Sequence, residues 1–307
     1  MENNIYDLAI LGAGPAGICA AIYATRAKLN TIWLDRKFVQ GGQIVDTYEV
    51  DNYPGLPGIT GLDLGEAMAG HAEKLGLKPK REPVISVADE GEIKVIRTKK
   101  NEYHAKAVII ACGATHRHLG IPGEEELGGM GVSYCATCDA AFFQEGTVAV
   151  VGGGNVAVED AILLSRTCKK VYLVHRRDEL RAEKILQDSL FACHNVELVW
   201  DSVPVSVEGE DKVTALKVRN VKTDEEKEIP VDGVFIAVGI VPGSGKFKDL
   251  VKMDESGYII AGEDGVTSTP GIFAAGDIRT KNLRQVVTAV ADGANAVASV
   301  QRYLMES

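Results

Sequence analysis

Long apolar runs are missing from this chain, and none approaches the roughly 18 residues that cross a membrane. The start, Met1-Glu2-Asn3-Asn4-Ile5, has neither the basic segment nor the apolar core of a secretory signal. Positive charge is in deficit: 33 Lys and Arg stand against 43 Asp and Glu, a net charge of −10. Nucleic-acid phosphates would be repelled by such a protein. No low-complexity segment occurs. These absences point to a cytoplasmic globular protein with no nucleic-acid or membrane partner. The 6 cysteines are then unlike a disulfide framework, because cytosolic thiols are kept reduced. A CxxC in that compartment is metal-binding or redox-active. Structural zinc needs four ligands, usually from two such pairs. Here Cys19, Cys112, Cys168 and Cys193 form no second pair, and only Cys193-His194 sets a sulfur beside a nitrogen. Metal is the weaker reading, and no metal ligands are assigned.

What is present fits about two domains in 307 residues, with 46% hydrophobic and 25% charged residues. Glycine is abundant, at 33 residues, and much of it is patterned. The apolar run Tyr6 to Leu11 reads as a buried parallel strand. Gly12-Ala13-Gly14-Pro15-Ala16-Gly17 follows, then a helix over Ile18 to Arg26 and a second strand from Thr31 to Leu34. The plan recurs: strand Thr147 to Val151, Gly152-Gly153-Gly154, helix Val156 to Ser165, strand Val171 to Val174. Two such βαβ units predict an α/β fold with two Rossmann-like domains and parallel sheets. Further apolar strands run into Gly113, Gly239 and Gly276-Asp277. A last helix is expected over Gln285 to Leu304. The stretch Asp224-Glu225-Glu226-Lys227-Glu228 reads as a solvated hairpin turn.

The two glycine loops differ in their acid-or-base position. Gly12, Gly14 and Gly17 serve a tight turn, close approach of a pyrophosphate, and helix–strand packing. The phosphates belong at the helix N-terminus. Asp35 follows Gly17 by 18 positions, close to the spacing of the acid that holds a ribose hydroxyl. That predicts FAD or NAD and repels a 2′-phosphate. The second loop reads Gly152-x-Gly154-x-x-Ala157. Eighteen positions beyond Ala157 stands His175, followed by Arg176, Arg177 and then Arg181. Arginines recognise phosphate through bidentate charged hydrogen bonds, so NADPH is expected here. A bland alternative is a solvated face in which Asp178, Glu179 and Glu183 neutralise the arginines.

Between the loops lies Cys135-Ala136-Thr137-Cys138-Asp139. A dithiol between a flavin motif and a nicotinamide motif points to electron flow from NADPH through FAD to a disulfide. Thiol–disulfide exchange needs a thiolate, which makes Asp139 a candidate general acid and base. Its alternative role is a helix N-cap.

The chain closely resembles the low-molecular-weight thioredoxin reductases over essentially its whole length. The matching pieces are the first glycine loop, Gly41-Gly42-Gln43, Asn52-Tyr53-Pro54-Gly55, the CATCD run, Gly152-Gly153-Gly154-Asn155, His175-Arg176-Arg177 with Arg181-Ala182, and Phe273-Ala274-Ala275-Gly276-Asp277 with Arg284-Gln285. The resemblance implies that Gly42, Gln43 and Asn52 line the flavin, that Asp277 bonds its ribityl chain, and that Gln285 approaches its ring. With it the candidate flavin set extends to Pro15, Ala16, Arg36, Val84, Gly113, Arg284 and Val286. It implies a homodimer, thioredoxin as partner, Cys138 facing the flavin, and Cys135 attacking the partner. Two positions depart from the usual pattern: Ala140 where glycine is common, and Asn155 where an acid is common. Asn155 is expected to cap its helix. The order of motifs predicts a discontinuous FAD domain, 1–115 and 245–307, with an NADPH domain, 116–244, inserted in it. Two connections permit a hinge, and the dithiol's need to meet both flavin and partner predicts two domain arrangements. Rival readings are a reductase for another disulfide partner, a flavin or ferredoxin reductase with idle cysteines, and a flavin-binding sensor. Cys19 and Cys112 are expected in the core.

Overall fold

The computed structural model describes residues 5–37, 39–47, 50 and 52–306. Met1 to Asn4, the residues on which most of the signal-sequence reading falls, lie outside that set. The chain divides into two compact units. One comprises Met1–Thr115 with Val241–Ser307, and the other is His116–Ile240.

Along the chain, the first unit opens with β1 (Ile5–Leu11), α1 (Pro15–Arg26) and β2 (Thr31–Asp35). Helix α2 (Gly61–Lys74), β3 (Lys80–Arg81), β4 (Val84–Glu90), β5 (Ile93–Thr98) and β6 (Glu102–Ile110) follow, and β7 (Ala114–His116) leads out. The second unit holds β8 (Val132–Ser133), α3 (Ala136–Asp139), β9 (Thr147–Val151), α4 (Asn155–Ser165), β10 (Lys170–Val174) and α5 (Lys184–Phe191). It continues with β11 (Val196–Val199), β12 (Ser202–Gly209), β13 (Val213–Asn220), β14 (Glu226–Pro230) and β15 (Gly233–Ile236). The return is β16 (Ile240–Pro242), then β17 (Ile272–Ala274) and α6 (Val286–Glu306).

In the first unit the sheet order is β3-β2-β1-β6-β5-β4, with β17 also on β6. Strand β6 is long because it shares one edge between two partners. Glu102 to Ala105 pair antiparallel with β5, and Val108 to Ile110 pair parallel with β17. The β1–β2 and β1–β6 pairings are parallel, as the βαβ unit requires. One sheet face packs on α1 and α6 through Leu8, Ile10, Ile18, Trp33 and Val300; the other packs on Phe247, Val251 and Ile259. A strand buried on both faces must be apolar throughout, which is why Leu8 to Leu11 are all apolar and sealed.

The second unit repeats the plan. Its parallel sheet runs β11-β10-β9-β15-β8, and β12-β13-β14 add an antiparallel sheet. That sheet and the β4–β5–β6 hairpins depart from the expected all-parallel pairing. Strand β13 puts exposed Thr214 between buried Val213 and Ala215, and β4 is buried nowhere along its length, a half-solvated pattern that favours hairpins. The acidic stretch closes one of them: Asp224 turns at φ 62°, and Glu226 to Glu228 enter β14 on its exposed side. Strands β7 and β16, which carry the chain between units, pair with each other.

Candidate active site

Each glycine of the first loop meets a distinct constraint. A Cβ on Gly12 would lie 2.3 Å from the Ala111 carbonyl, and one on Gly17 would lie 2.0 Å from the Gly12 carbonyl. Those two glycines serve packing. A Cβ on Gly14 would meet only the Gly42 Cα, at 3.7 Å, so its side faces open space that a phosphate group fits. The Gly41 N–H donates to the Ala13 carbonyl at 2.7 Å, which presses the 41–43 segment onto the loop. Thus Gly14, Pro15 and Gly42 come together. Gln43 precedes a short helical turn and is half-buried.

Asp35 ends β2 half-buried. Burial pushes its carboxyl above the ordinary range, against the N–H groups of Arg36, Lys37 and Ala13. Arg36 beside it is exposed. Asn52 donates its Nδ2 to Gln285 Oε1 at 3.0 Å, joining two expected site residues that stand 233 positions apart. Gln285 donates its N–H to Thr288 Oγ1 at 3.1 Å, at the start of α6, and Val286 is the first helical residue. Gly276 adopts φ 80° and lies against Ala16. Asp277 follows it. Its Oδ1 is buried without a hydrogen-bond partner, and so is Arg284 Nε. Arg284 lies over the Tyr258 ring at 4.0 Å. Burial raises the Asp277 carboxyl, and Lys281 and Arg284 oppose the rise. An unpartnered buried carboxylate oxygen beside an open glycine cradle fits a hydroxyl-bearing dinucleotide. Gly113 turns at φ 66° into open space. Val84 opens β4, where its carbonyl accepts Lys246 Nζ at 2.9 Å.

In the second unit the glycines divide the same way. A Cβ on Gly152 would lie 2.6 Å from the Ala157 Cβ, whereas Gly154 has nothing within 4 Å. The His175 ring lies under Gly153, where a Cβ would come 2.3 Å from Nδ1. Its Nε2 is buried without a partner. Burial and then Arg181 and Arg176 lower its basicity. Arg181 donates its backbone N–H to the Gly153 carbonyl at 2.8 Å, bringing the basic segment to the glycine turn. The side chains of Arg176, Arg177 and Arg181 are exposed. Two of the three nearby acids are engaged elsewhere. Asp178 pairs with Lys222 at 2.9 Å, and Glu183 accepts Asn155 Nδ2 at 3.1 Å. Asn155 is not the cap of α4. Gly154 takes that position with extended backbone, and Asn155 clips the Glu183 N–H instead, at 2.9 Å.

Cys135 and Cys138 form a disulfide, with Cα atoms 5.3 Å apart. Cys135 caps α3, its Sγ accepting the Cys138 N–H at 3.2 Å, while Asp139 stands at the N-cap of the following 3-10 turn, Ala140–Phe143, without a side-chain capping bond. Asp139 ends the helix, and its Oδ2 accepts Ser133 Oγ at 2.5 Å. Burial raises its carboxyl above the usual range, and the Ser133 bond only partly offsets this. Ser133 Oγ also accepts the Cys135 N–H at 3.0 Å. This serine, which ties dithiol to acid, carries no motif. Nor does Glu124, whose carboxylate, 1% exposed, accepts Tyr134 OH at 2.7 Å and the Leu119 and Gly120 amides. Tyr134 immediately precedes Cys135, and His118 and His116 pack on its ring.

Of the other thiols, Cys19 is buried, and burial pushes it up to about 11. Cys112 packs at the edge of the core and is likewise pushed up to about 11. Cys168 is buried, and Cys193 is half-exposed. Among the described residues no group of three or more His, Cys, Asp or Glu is placed to hold a metal. No described helix is long and apolar enough to cross a membrane.

A family model for pyridine nucleotide-disulphide oxidoreductases matches residues 6–293. The thioredoxin reductase of Listeria innocua is 48% identical over 306 residues, which span 99% of this chain and 96% of that protein. That of Bacillus subtilis is 46% identical over 306 residues, with the same two shares of 99% and 96%. The crystal structure of thioredoxin reductase from Streptococcus pyogenes matches with a TM-score of 0.95 at 46% identity, covering 100% of both chains. With two glycine cradles, a basic segment at the second and a closed CxxC, the chain belongs to the pyridine nucleotide-disulphide oxidoreductases, in their thioredoxin reductase branch.

Proposed function

We infer that this chain is an NADPH-dependent flavoprotein that reduces thioredoxin through the Cys135–Cys138 disulfide. The observation that carries the reading is that closed disulfide, hydrogen-bonded through Ser133 to a half-buried acid and held in the same unit as the basic glycine cradle. FAD, when bound, relays an electron pair between NADPH and the dithiol. The protein's own part is to bind, orient and manage protons. Gly12, Gly14, Pro15, Ala16, Gly17 and Gly42 would cradle the FAD pyrophosphate, with Asp35 on its adenosine ribose and Asp277 on its ribityl chain. Gln285, fixed by Asn52, and the α6 N-terminus would face the ring. Gly152, Gly154 and Ala157 would take the NADPH pyrophosphate. Arg176, Arg177 and Arg181, with the unpartnered His175 Nε2, would take its 2′-phosphate.

Cys135 thiolate attacks one sulfur of the partner disulfide, and the partner's other sulfur leaves as a thiolate. Cys138 thiolate then attacks Cys135, restoring the intramolecular disulfide and releasing the second partner thiolate. Asp139, raised by burial, keeps a proton at pH values where an exposed aspartate has lost it, and it can hand that proton to a leaving thiolate. The N–H of Cys138 at Cys135 Sγ would favour thiolate at that sulfur.

The flavin domain is taken as 1–115 with 245–307 and the NADPH domain as 116–244, near the unit boundaries given above. A homodimer in the cytoplasm, where NADPH and reduced thiols are maintained, completes the reading. Anaerobic titration tests it: the yellow protein should bleach with NADPH, then recover colour with oxidised thioredoxin. Recovery equally fast with both cysteines replaced would favour a flavin reductase.

A further inference from the structure

An acid that no motif marks sits in the middle of α6. Asp292 is 4% exposed, and its carboxylate gathers donors from three residues. Oδ1 accepts Arg279 Nη2 at 2.6 Å, and Oδ2 accepts Arg279 Nε at 2.9 Å. Oδ2 also accepts Lys281 Nζ and the Gly276 backbone N–H, both at 2.9 Å. Gly276 is the residue before Asp277. Arg279 spends its Nη1 on the carbonyls of Ala261 and Thr280, at 3.3 and 2.9 Å. The side chains of Arg279, Lys281 and Asp292 are only 9%, 7% and 5% exposed. Burying three charges is unfavourable unless each is paired and bonded, and here each is.

The helix cannot drift from this place. Gly293, the next residue, is packed so closely on α1 that a Cβ would lie 2.2 Å from the Ala16 carbonyl. Asp292 is therefore held against the Gly276 turn, and Lys281 acts on both acids, Asp292 by contact and Asp277 by charge. Asp277 makes no bond through its own Oδ1. Asp292's bonds fix the chain on both sides of it, at the Gly276 N–H and at Arg279 and Lys281.

We propose that Asp292 is a positioning residue of the flavin site, holding the Asp277 carboxylate toward the ribityl hydroxyls through the Gly276 N–H, Arg279 and Lys281. The proposal rests on the reading of the first cradle as the FAD site. It predicts coupling between Asp277, which would touch the ligand, and Asp292, which would not.

The test is a double-variant cycle on FAD affinity, read by fluorescence titration of flavin-stripped protein. Asp292→Asn should weaken FAD by at least ~10-fold, the scale of a lost charged hydrogen bond. Asp277→Asn should weaken it as much or more. In the double variant the losses should not add, because Asp292 acts only through Asp277. NADP⁺ affinity, set in the other unit, should stay unchanged in every variant. Unchanged FAD affinity in Asp292→Asn overturns the proposal, and so does full additivity, which would mark a merely structural acid. Should Asp292→Asn fail to fold, Asp292→Glu replaces it, since that variant keeps the charge opposite Arg279 and Lys281 but moves the carboxylate off the Gly276 N–H, and it is judged by the same outcomes. Wild-type protein that takes up no FAD would sink the flavin reading itself, whereas normal uptake with an additive cycle sinks only this one.

Discussion

The first and second glycine cradles are the same device with one decisive change. Both place a small-residue turn between a buried strand and a helix, and in both the middle glycine faces open space while the first is locked in packing. They part at the end of the next strand. There the first has half-buried Asp35, and the second has buried His175 followed by exposed Arg176 and Arg177. An acid accepts a ribose hydroxyl, whereas a basic segment accepts a phosphate. On the proposed reading the fold would supply the pyrophosphate site twice, and a few side chains would decide which cofactor each copy takes.

The largest effect should come from the dithiol, which belongs to the second unit alone. Cys135→Ser and Cys138→Ser should each abolish thioredoxin reduction while leaving flavin reduction by NADPH nearly intact. Rapid-mixing absorbance separates the two half-reactions, and normal thioredoxin turnover in either variant would remove the cysteines from the mechanism.

Next comes a pair of glycine substitutions that sets the two cradles against each other. Gly17→Ala pushes a methyl into a carbonyl 2.0 Å away and should destabilise the first unit by roughly 2–3 kcal/mol. Gly154→Ala meets nothing within 4 Å; it should leave urea unfolding unchanged and weaken NADPH alone. Equal loss of stability in both would mean that Gly154 is a packing residue like Gly17.

A smaller effect is expected at the strand ends. Arg176→Ala with Arg177→Ala should cost NADPH at least ~10-fold relative to NADH. Steady-state KM values for both nucleotides decide it, and a retained NADPH preference would refute the contrast with Asp35.

The smallest concerns Asp160 on α4, in the second unit. Burial and the nearby Glu159 raise its carboxyl from 3.8 to about 7. A raised acid contributes stability that is full below its unfolded pKa and lost as pH rises through the folded one. Asp160→Asn, which never ionises, should therefore match wild type near pH 4 and melt a few °C higher above pH 7. Calorimetry at both pH values checks this, and an equal shift at both would show that charge is not the cause.

Much of both cradles was legible because their chemistry is local. The Gly12 and Gly152 loops, the Asp35 and His175 positions and the CATCD run all lie at fixed spacings within one βαβ unit or turn. What escaped depends on distant partners. Asp292 acts on Gly276 and Arg279 across a turn and half a helix. Glu124 reaches Tyr134 from a loop without regular structure. The hairpin sheets carry ordinary alternation that the glycine motifs do not announce. Neither Asp139 nor Asn155 caps with its side chain: Cys135 and Gly154 hold the extended backbone before α3 and α4, and the two side chains bond elsewhere, to Ser133 and to Glu183.

The Cys135–Cys138 bridge joins residues only three positions apart. A crosslink stabilises a fold mainly by shrinking the choices of the unfolded chain, and so small a ring removes few. Its contribution is on the order of 2 kcal/mol, less than half that of a hundred-residue loop. The bridge is thus a poor staple, and that suits a bond meant to open in every turnover. The pairing of β8, β9 and β15 runs through neither cysteine, so opening the bridge should cost the fold little beyond that small ring.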